Sequence, residues 1–209
     1  MDDEKFRDAL LNIQTGDRGS FSNSERYHRY EPTPYHALDF LFENYTIRET
    51  DCLVDFGCGK GRVPFYANYY FHTYSVGIER DEKLYKQALE NKERFCKRRT
   101  AGKGKIKFFW GLAEDYQFGE RDNIFYFFNP FTSEVFMWVI NNLLDSVMEH
   151  PRTVDLLLYY PHETYVYFLE NQTPFILEKE ICIPEKFPKD PNERFLIYRF
   201  RDYGRQSEI

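Results

Sequence analysis

The sequence predicts a three-layer α/β fold around one mostly parallel, seven-stranded sheet. From Asp51 onward, short apolar runs alternate with amphipathic stretches, and this alternation indicates parallel strands joined by right-handed helical crossovers. The last two apolar runs are joined by the Pro-rich link Pro184–Pro191 with no helix between them, which predicts an antiparallel last strand. A chain of 209 residues can bury the core of one such domain.

The predicted elements follow from these runs in order. The strands are Cys52–Phe56, Tyr74–Glu79, Ile106–Trp110, Ile124–Phe128, Val154–Tyr160, Phe175–Ile183 and Arg194–Phe200. The helices are a short one near Pro64 and then Asp81–Arg99, Ser133–Glu149 and Thr164–Asn171. Residues 1–50 precede the alternation and include helical material at Pro34–Asn44. We therefore expect an N-terminal helical cap or lid at residues 1–50 and a core at residues 51–209, within one structural domain.

Composition and charge exclude several classes of protein. The net charge of -6 argues against a dedicated binder of polyanions. The four cysteines form no C-x-x-C pair, so neither a disulfide framework nor a zinc site is expected. The acidic amino terminus leads into no apolar run, and no stretch is long enough to span a bilayer. We expect a cytoplasmic protein with no metal and no membrane partner. The 17 Tyr and 21 Phe indicate strand and core residues rather than an aromatic substrate cage.

The most informative segment is the turn Asp-Phe-Gly-Cys-Gly-Lys-Gly at residues 55–61, between a predicted strand and a predicted helix. Alternate glycines permit positive φ angles and let a ligand approach the backbone, at the strand end where open α/β sheets bind ligands. A P-loop would need Gly where Val54 stands and Ser or Thr where Gly61 stands. A dinucleotide fingerprint would need Gly in place of Arg62. Both of these phosphate motifs are excluded.

This Asp-x-Gly-x-Gly-x-Gly form resembles the first motif of class I S-adenosylmethionine-dependent methyltransferases. Three further segments fall where that family would have them. Glu79 ends the second strand, 24 residues after Asp55, while Gly111–Asp115 follows the third strand and Asn129–Phe131 follows the fourth. The resemblance covers about three quarters of the chain. It implies the seven-stranded Rossmann-like methyltransferase fold.

The resemblance also implies S-adenosyl-L-methionine as the cofactor. In the family, the acid at Glu79 accepts hydrogen bonds from both ribose hydroxyls, and the loop after the third strand holds adenine. Leu112 stands where an acid commonly pairs with the adenine amino group, so Glu114, Asp115 or purely backbone and apolar contacts are the alternatives. The residues expected to bind the cofactor are Asp55, Gly57, Cys58, Gly59, Gly61, Glu79, Arg80, Leu112, Ala113, Glu114 and Asn129.

The segment Phe-Asn-Pro-Phe at residues 128–131 resembles a shortened Asn/Asp-Pro-Pro-aromatic motif of amino-methyltransferases. The resemblance implies catalytic roles for Asn129, Pro130 and Phe131. The Asn side-chain oxygen and a Pro-flanked carbonyl would accept hydrogen bonds from the target amine, and the aromatic ring would stack on a planar substrate. A structural turn is the alternative, since Asn-Pro is a common turn dipeptide. An oxygen acceptor would instead need a base, for which His162 and then His36 are candidates.

Two segments have less specific patterns. Tyr30–Tyr35 is a rigid, aromatic turn that we interpret as a lid over the methionine end of the cofactor, or else as a helix entry. Lys92–Lys107 is basic and would either contact a polyanion or, as we favour, form a solvated helix end. The methyl acceptor stays open between small molecule, protein and RNA, and the oligomeric state is also open. The rivals to nitrogen methylation are a non-catalytic cofactor-binding module and an O-methyltransferase with a His base.

Overall fold

The computed structural model describes residues 3–16, 26–98, 104–184 and 186–201. Within these ranges the strands are β1 Cys52–Phe56, β2 Tyr74–Glu79, β3 Ile106–Trp110, β4 Ile124–Phe127, β5 Val154–Tyr159, β6 Ile176–Cys182 and β7 Arg194–Phe200. The helices are α1 Asp3–Leu11, α2 Tyr35–Asn44, α3 Arg62–Phe71, α4 Glu82–Arg98, α5 Ser133–Glu149 and α6 Glu163–Gln172, and a single 3-10 turn covers Ala113–Asp115.

The seven strands form one sheet in the order β3-β2-β1-β4-β5-β7-β6. Strands β1 to β5 are parallel, and β7 is antiparallel to both of its neighbours. The predicted fold class, including the antiparallel last strand, is confirmed. The strand order reverses between β1 and β4, where Phe56 pairs with Ile78 on one side and with Phe127 on the other. Such a reversal opens a crevice at the carboxyl ends of the strands.

Apolar side chains on both faces of the sheet explain why the central strands β1, β4 and β5 are mostly apolar. Leu53 packs in one cluster with helices α1 to α4, and the neighbouring Val54 packs in a second cluster with α5 and α6. Strands that are buried on both faces need apolar residues at every position. The three-layer arrangement follows from this double burial.

The predicted strands are one residue too long at four ends, two of which are Phe175 and Ile183, on either side of β6. Phe128 and Tyr160 lie beyond β4 and β5. The chain leaves the sheet there through the left-handed region, with φ of 39° at Asn129 and 49° at Tyr160. Few residues other than glycine adopt such angles, and the strain they store concentrates at functional sites. Arg99, the predicted end of α4, lies outside the described residues.

The amino-terminal residues pack into the same core as the sheet. Arg62 at the start of α3 is buried, and its guanidinium donates to Thr15 Oγ1 at 2.7 Å and to Thr33 O at 2.9 Å. It also pairs with Glu4 and lies 4.3 Å from the centre of the Tyr35 ring. A buried cation needs such partners, so Arg62 ties α1 and the start of α2 to the sheet. The division at residue 50 stays a prediction.

Candidate functional site

The Gly-rich turn after β1 has the backbone that only glycine adopts readily. Its three glycines all have positive φ: Gly57 at 75°, Gly59 at 53° and Gly61 at 89°. A Cβ atom on Gly57 would lie 2.5 Å from Cβ of Pro130, and one on Gly59 would lie 2.0 Å from the Tyr30 ring. Both the backbone angles and the close approach of other segments therefore require glycine here.

The carboxylate of Glu79 holds this turn in place. Its Oε2 accepts a hydrogen bond from Gly59 N at 2.8 Å, and its Oε1 accepts one from Asp81 N at 2.8 Å. Burial raises the pKa of Glu79, while these backbone donors act in the opposite direction. A carboxylate oxygen can accept more than one hydrogen bond, so both oxygens keep acceptor capacity toward the cavity that Glu79 lines.

Asp55 is the buried acid at the end of β1. Its side chain lines the same cavity and makes no hydrogen bond with any other described residue. Burial, together with the nearby charge of Glu79, raises the pKa of Asp55. A buried carboxylate without a partner is costly, and a positively charged ligand would offset that cost.

One cavity of about 1040 Å³ lies at the carboxyl ends of the central strands. We name its two ends by their residues. The Gly-rich end is lined by Asp55, Gly57, Glu79, Arg80 and Leu84. The tyrosine end is lined by Phe128, Tyr159, Tyr160, Lys186, Asp190 and Glu193. Asn129 and Pro130 also contribute to the wall. The cavity has the size of sites that take a cofactor together with a small substrate.

The structure brings some of the predicted site residues to this cavity and leaves others outside it. Those that line it are Asp55, Gly57, Glu79, Arg80, Asn129 and Pro130. Those that do not are Cys58, Gly59, Gly61, Leu112, Ala113, Glu114 and Phe131. Gly59 is covered by the Tyr30 ring. The first group thus shares one pocket, as the order of strands predicts for residues at neighbouring strand ends.

The side chain of Asn129 connects the ends of β4 and β5. Its Nδ2 donates to Tyr160 O, and its Oδ1 accepts from His162 N at 3.1 Å. Asn129 therefore fixes the turn that carries Tyr160, and one lone pair of Oδ1 and the second N–H of Nδ2 remain for a ligand.

Phe131 is a correction to the sequence analysis. Its side chain is fully buried, with its ring 6.2 Å from that of Phe127 and 5.7 Å from that of Tyr27. Because the ring packs in the core and outside the cavity walls, the structure contradicts the expected stacking of Phe131 on a substrate.

The two histidines considered as bases also lie outside the cavity walls. His162 is exposed and caps α6, its ring accepting from Thr164 N, and His36 is exposed on α2. His28 does line the cavity, with Nδ1 2.7 Å from Asn129 O. Since a carbonyl oxygen only accepts, Nδ1 carries a hydrogen, and in the neutral ring the free lone pair is then on Nε2. His28 belongs to no motif, so nothing in the sequence singles it out.

Residues 26–34 cross the cavity, and we call them the N-terminal strap. The strap begins with a short antiparallel contact to the segment after β4. His28 N donates to Pro130 O at 3.0 Å, and Thr132 N donates to Arg26 O at 2.8 Å. Its later residues Tyr30, Thr33 and Pro34 line the cavity, which places part of the predicted lid segment at the site.

Tyr27 of the strap covers the loop that follows β3. Its hydroxyl donates to Glu114 Oε2 at 2.5 Å and accepts from Ala113 N at 3.2 Å. The Arg80 guanidinium lies 4.7 Å from the centre of its ring. Tyr27 thus occupies two hydrogen-bonding groups of the loop predicted to hold adenine, Ala113 N and one oxygen of Glu114.

Other predicted features lie away from the cavity. In the basic run, Arg99 and Lys103 fall outside the described residues, and Lys105 pairs with Glu49 at 2.8 Å. No cluster of three or more His, Cys, Asp or Glu among the described residues is arranged to hold a metal ion. In the same part of the chain, no helix has the length and apolarity to cross a membrane.

No protein-family model and no curated protein matches this sequence. Solved structures do match the fold. A human methyltransferase 10 domain containing protein is 13% identical with a TM-score of 0.60, covering 96% of each chain. The N-terminal domain of human METTL16 in complex with SAH is 14% identical with a TM-score of 0.58, covering 96% of this chain and 82% of that one. A putative RNA methyltransferase from Pyrococcus horikoshii is 21% identical with a TM-score of 0.55, covering 94% and 98%. The chain has the Rossmann-like fold of class I methyltransferases.

Proposed function

We propose that this protein is an S-adenosylmethionine-dependent methyltransferase that acts on a nitrogen acceptor. The observation that carries the proposal is the Gly-rich end of the cavity. There, the acids Asp55 and Glu79 face a left-handed glycine turn at the point where the strand order reverses. The fold neighbours support this, since one of them is described as a complex with SAH.

The described residues at this end match the chemistry of the cofactor. Glu79 offers acceptors to the two ribose hydroxyls, and the Asp55 carboxyl group, which makes no hydrogen bond with any other described residue, offers its oxygens to a cation. The glycine turn contributes Gly57 to the cavity wall, where the methionine portion is expected to lie. Adenine is expected beside Arg80 and the Leu112–Glu114 loop, once the Tyr27 hydroxyl leaves that loop.

The chain's contribution to methyl transfer is mainly alignment. The bound cofactor supplies a methyl group that its sulfonium already activates. Asn129 and Pro130 line the cavity that contains the Gly-rich end and the tyrosine end. The hydrogen bonds of Asn129 to Tyr160 and His162 fix the position of this segment. Holding an acceptor nitrogen in line with the methyl group is an effect of proximity and orientation. His28 Nε2 is placed to accept the proton that an amine acceptor must lose.

An O-methyltransferase and a non-catalytic binding module are the rivals. An O-methyltransferase would need a base in the cavity, and the two expected ones, His162 and His36, lie outside the cavity walls. His28 does line the cavity and could act as the base of such a reaction. The binding module would keep the Gly-rich end and lack turnover. RNA enters as a candidate acceptor through the neighbour described as a putative RNA methyltransferase. A cytoplasmic location remains part of the proposal.

Calorimetry and label transfer test this proposal. S-adenosylmethionine and its product S-adenosylhomocysteine (SAH) should bind with micromolar dissociation constants, about -8 kcal/mol, and NAD should not bind. Isotopically labelled methyl cofactor incubated with cell extract should then yield a labelled product, which mass spectrometry identifies. Binding without any labelled product would favour the binding module. Absence of both heat and thermal shift with either compound would remove the cofactor assignment.

A further inference from the structure

The tyrosine end of the cavity is assembled from three segments, which are the residues at the ends of β4 and β5 and the connection between β6 and β7. Strand β5 ends at Tyr159 and Tyr160 follows it directly, and both tyrosines share the cavity wall with described residues of the β6–β7 connection. Ile183 N donates to Glu193 O at 3.0 Å and so closes this connection at its base. The closure brings Lys186, Asp190 and Glu193 into the cavity wall, opposite the ends of β4 and β5.

Three aromatic rings line this end. The Phe128 ring lies 4.7 Å from the Tyr159 ring and 6.5 Å from the Tyr160 ring, and the two tyrosine rings are 6.4 Å apart. Aromatic faces carry negative charge density and attract organic cations, most strongly where water is partly excluded. Phe128 and Tyr160 are half-buried, so their surfaces remain accessible from the cavity.

Each tyrosine hydroxyl is hydrogen-bonded to a carboxylate. Tyr159 donates to Glu193 Oε2 at 2.6 Å, and Tyr160 donates to Asp190 Oδ2 at 2.7 Å. The hydrogen bond from Tyr160 lowers the pKa of Asp190 and keeps this acid ionised. Because both hydroxyl protons are already used, the wall presents mainly acceptors and aromatic faces to a ligand. Lys186 offsets one of the two charges, with Nζ 3.4 Å from Glu193 Oε1.

We propose that the tyrosine end binds a cationic, amine-bearing acceptor through the rings of Phe128 and Tyr160 and the carboxylates of Asp190 and Glu193. This inference rests on the proposed function and names its substrate class. An ammonium group has N–H donors for the carboxylates and charge for the rings. A phosphate diester would instead face two carboxylates, and like charges repel.

Asp55 supports this inference independently. It is buried, it has no hydrogen-bond partner among the described residues, and it lines the same cavity. The wall of this cavity also carries more Asp and Glu side chains than Lys and Arg side chains, which favours positive ligands. The negative potential would draw a cationic acceptor toward Asn129 and Pro130, where His28 Nε2 can take its proton.

The test uses three probes on the full chain, by NMR titration with and without saturating SAH. The probes are n-butylammonium, the neutral 1-pentanol of similar shape, and a mixed-sequence hexaribonucleotide. Butylammonium should bind at least tenfold more tightly than pentanol. Glu193→Gln and Asp190→Asn should each weaken butylammonium at least fivefold and leave SAH affinity unchanged. Glu170→Gln is the matched control, because Glu170 also accepts from a tyrosine hydroxyl, that of Tyr198 at 2.9 Å, but lies outside the cavity walls.

Each outcome bears on one proposal only. Equal affinity for butylammonium and pentanol, or an unchanged affinity in both carboxamide variants, overturns the cationic acceptor. Tighter binding of the hexaribonucleotide replaces it with a nucleic-acid acceptor. Failure of SAH to bind the wild type overturns the proposed function, while the titrations without SAH still report on the tyrosine end. Having two variants keeps the test decisive if one of them does not fold.

Discussion

The two ends of the cavity are encoded in different ways. The Gly-rich end depends on a contiguous turn, residues 55–61, and on an acid at the end of the next strand. The tyrosine end combines residues from β4, β5 and the β6–β7 connection, up to 65 positions apart between Phe128 and Glu193. A local motif fixes backbone angles that a sequence displays directly, whereas a wall formed by distant segments depends on tertiary packing. For this reason the residues of the cofactor end could be predicted from the sequence, whereas those of the acceptor end were identified only in the structure.

The residue that contributes to both ends should give the largest effect. Asn129→Ala removes the hydrogen bonds to Tyr160 and His162, so the turn that carries Tyr160 is no longer held to the end of β4. We expect turnover of the acceptor found by labelling to fall on the order of a hundredfold, with SAH affinity nearly unchanged. Steady-state kinetics and calorimetry measure the two quantities.

Two variants frame that result. Asn129→Asp keeps the oxygen that accepts from His162 N and should retain partial activity. Asn171→Ala is the control, since Asn171 makes its hydrogen bond to Tyr167 O on the surface of α6. Wild-type turnover in Asn129→Ala would show that the two ends work without this connection.

Glu79→Ala tests the Gly-rich end alone. The carboxylate accepts from Gly59 N and Asp81 N, and we expect it to accept from ribose as well. Losing charge-assisted hydrogen bonds should weaken SAH at least tenfold in calorimetry. It should also lower the melting temperature, because two backbone donors lose their acceptor. Glu82→Ala is the control, since Glu82 lines the cavity but pairs only with Lys86 on its own helix. An unchanged dissociation constant for Glu79→Ala would limit Glu79 to a structural role.

Much of the fold was predictable because its signals are local. Every strand and the helix Ser133–Glu149 follow from apolar runs and periodicity. The exact strand ends near Phe128 and Tyr160 were not predictable. The left-handed angles at Asn129 and Tyr160 accompany a hydrogen bond between these two residues, which lie far apart in sequence. Phe131 illustrates the same limit. An aromatic residue after Asn-Pro fits a substrate platform as well as a core position, and only packing against Phe127 and Tyr27 decides between them.

The strap was the least predictable part of the site. Its residues His28 and Tyr27 belong to no motif, and their roles arise from contacts with Pro130, Ala113 and Glu114. The sequence shows that Lys92–Lys107 is basic but does not show where this segment lies relative to the cavity. Its described residues lie outside the cavity walls.

Asp55→Asn should produce a smaller effect that depends on pH. The pKa of Asp55 is raised in the folded state, so the folded protein binds this proton more tightly than the unfolded chain does. The free energy of unfolding therefore falls as pH rises from the unfolded value of about 3.9 through the raised value. Because Asn does not titrate, the free energy of unfolding of the variant does not fall in this way. The variant should therefore melt at a higher temperature than the wild type at pH 8, but not at pH 4.

The same variant should lose affinity for the positively charged cofactor. S-adenosylmethionine should bind about fivefold more weakly, and SAH, which lacks the sulfonium charge, should change less. Thermal unfolding and calorimetry at several pH values measure both effects. Asp145→Asn, at an exposed position of α5, is the control. Equal losses for the two compounds would show that Asp55 does not sense the sulfonium charge.

Tyr27→Phe should give the smallest change, and it tests whether the strap competes with the cofactor. The tyrosine hydroxyl occupies Ala113 N and the Glu114 carboxylate, the groups expected to meet adenine. Removing it frees both groups and leaves the ring beside Arg80. A net hydrogen bond contributes about 1 kcal/mol, so SAH should bind about fivefold more tightly to the variant. Adenosine should gain by the same factor and free methionine should not, while Tyr167→Phe on the exposed face of α6 should change neither. Weaker SAH binding in Tyr27→Phe would mean that the hydroxyl contacts the cofactor itself, and the strap would then belong to the Gly-rich end rather than compete for it.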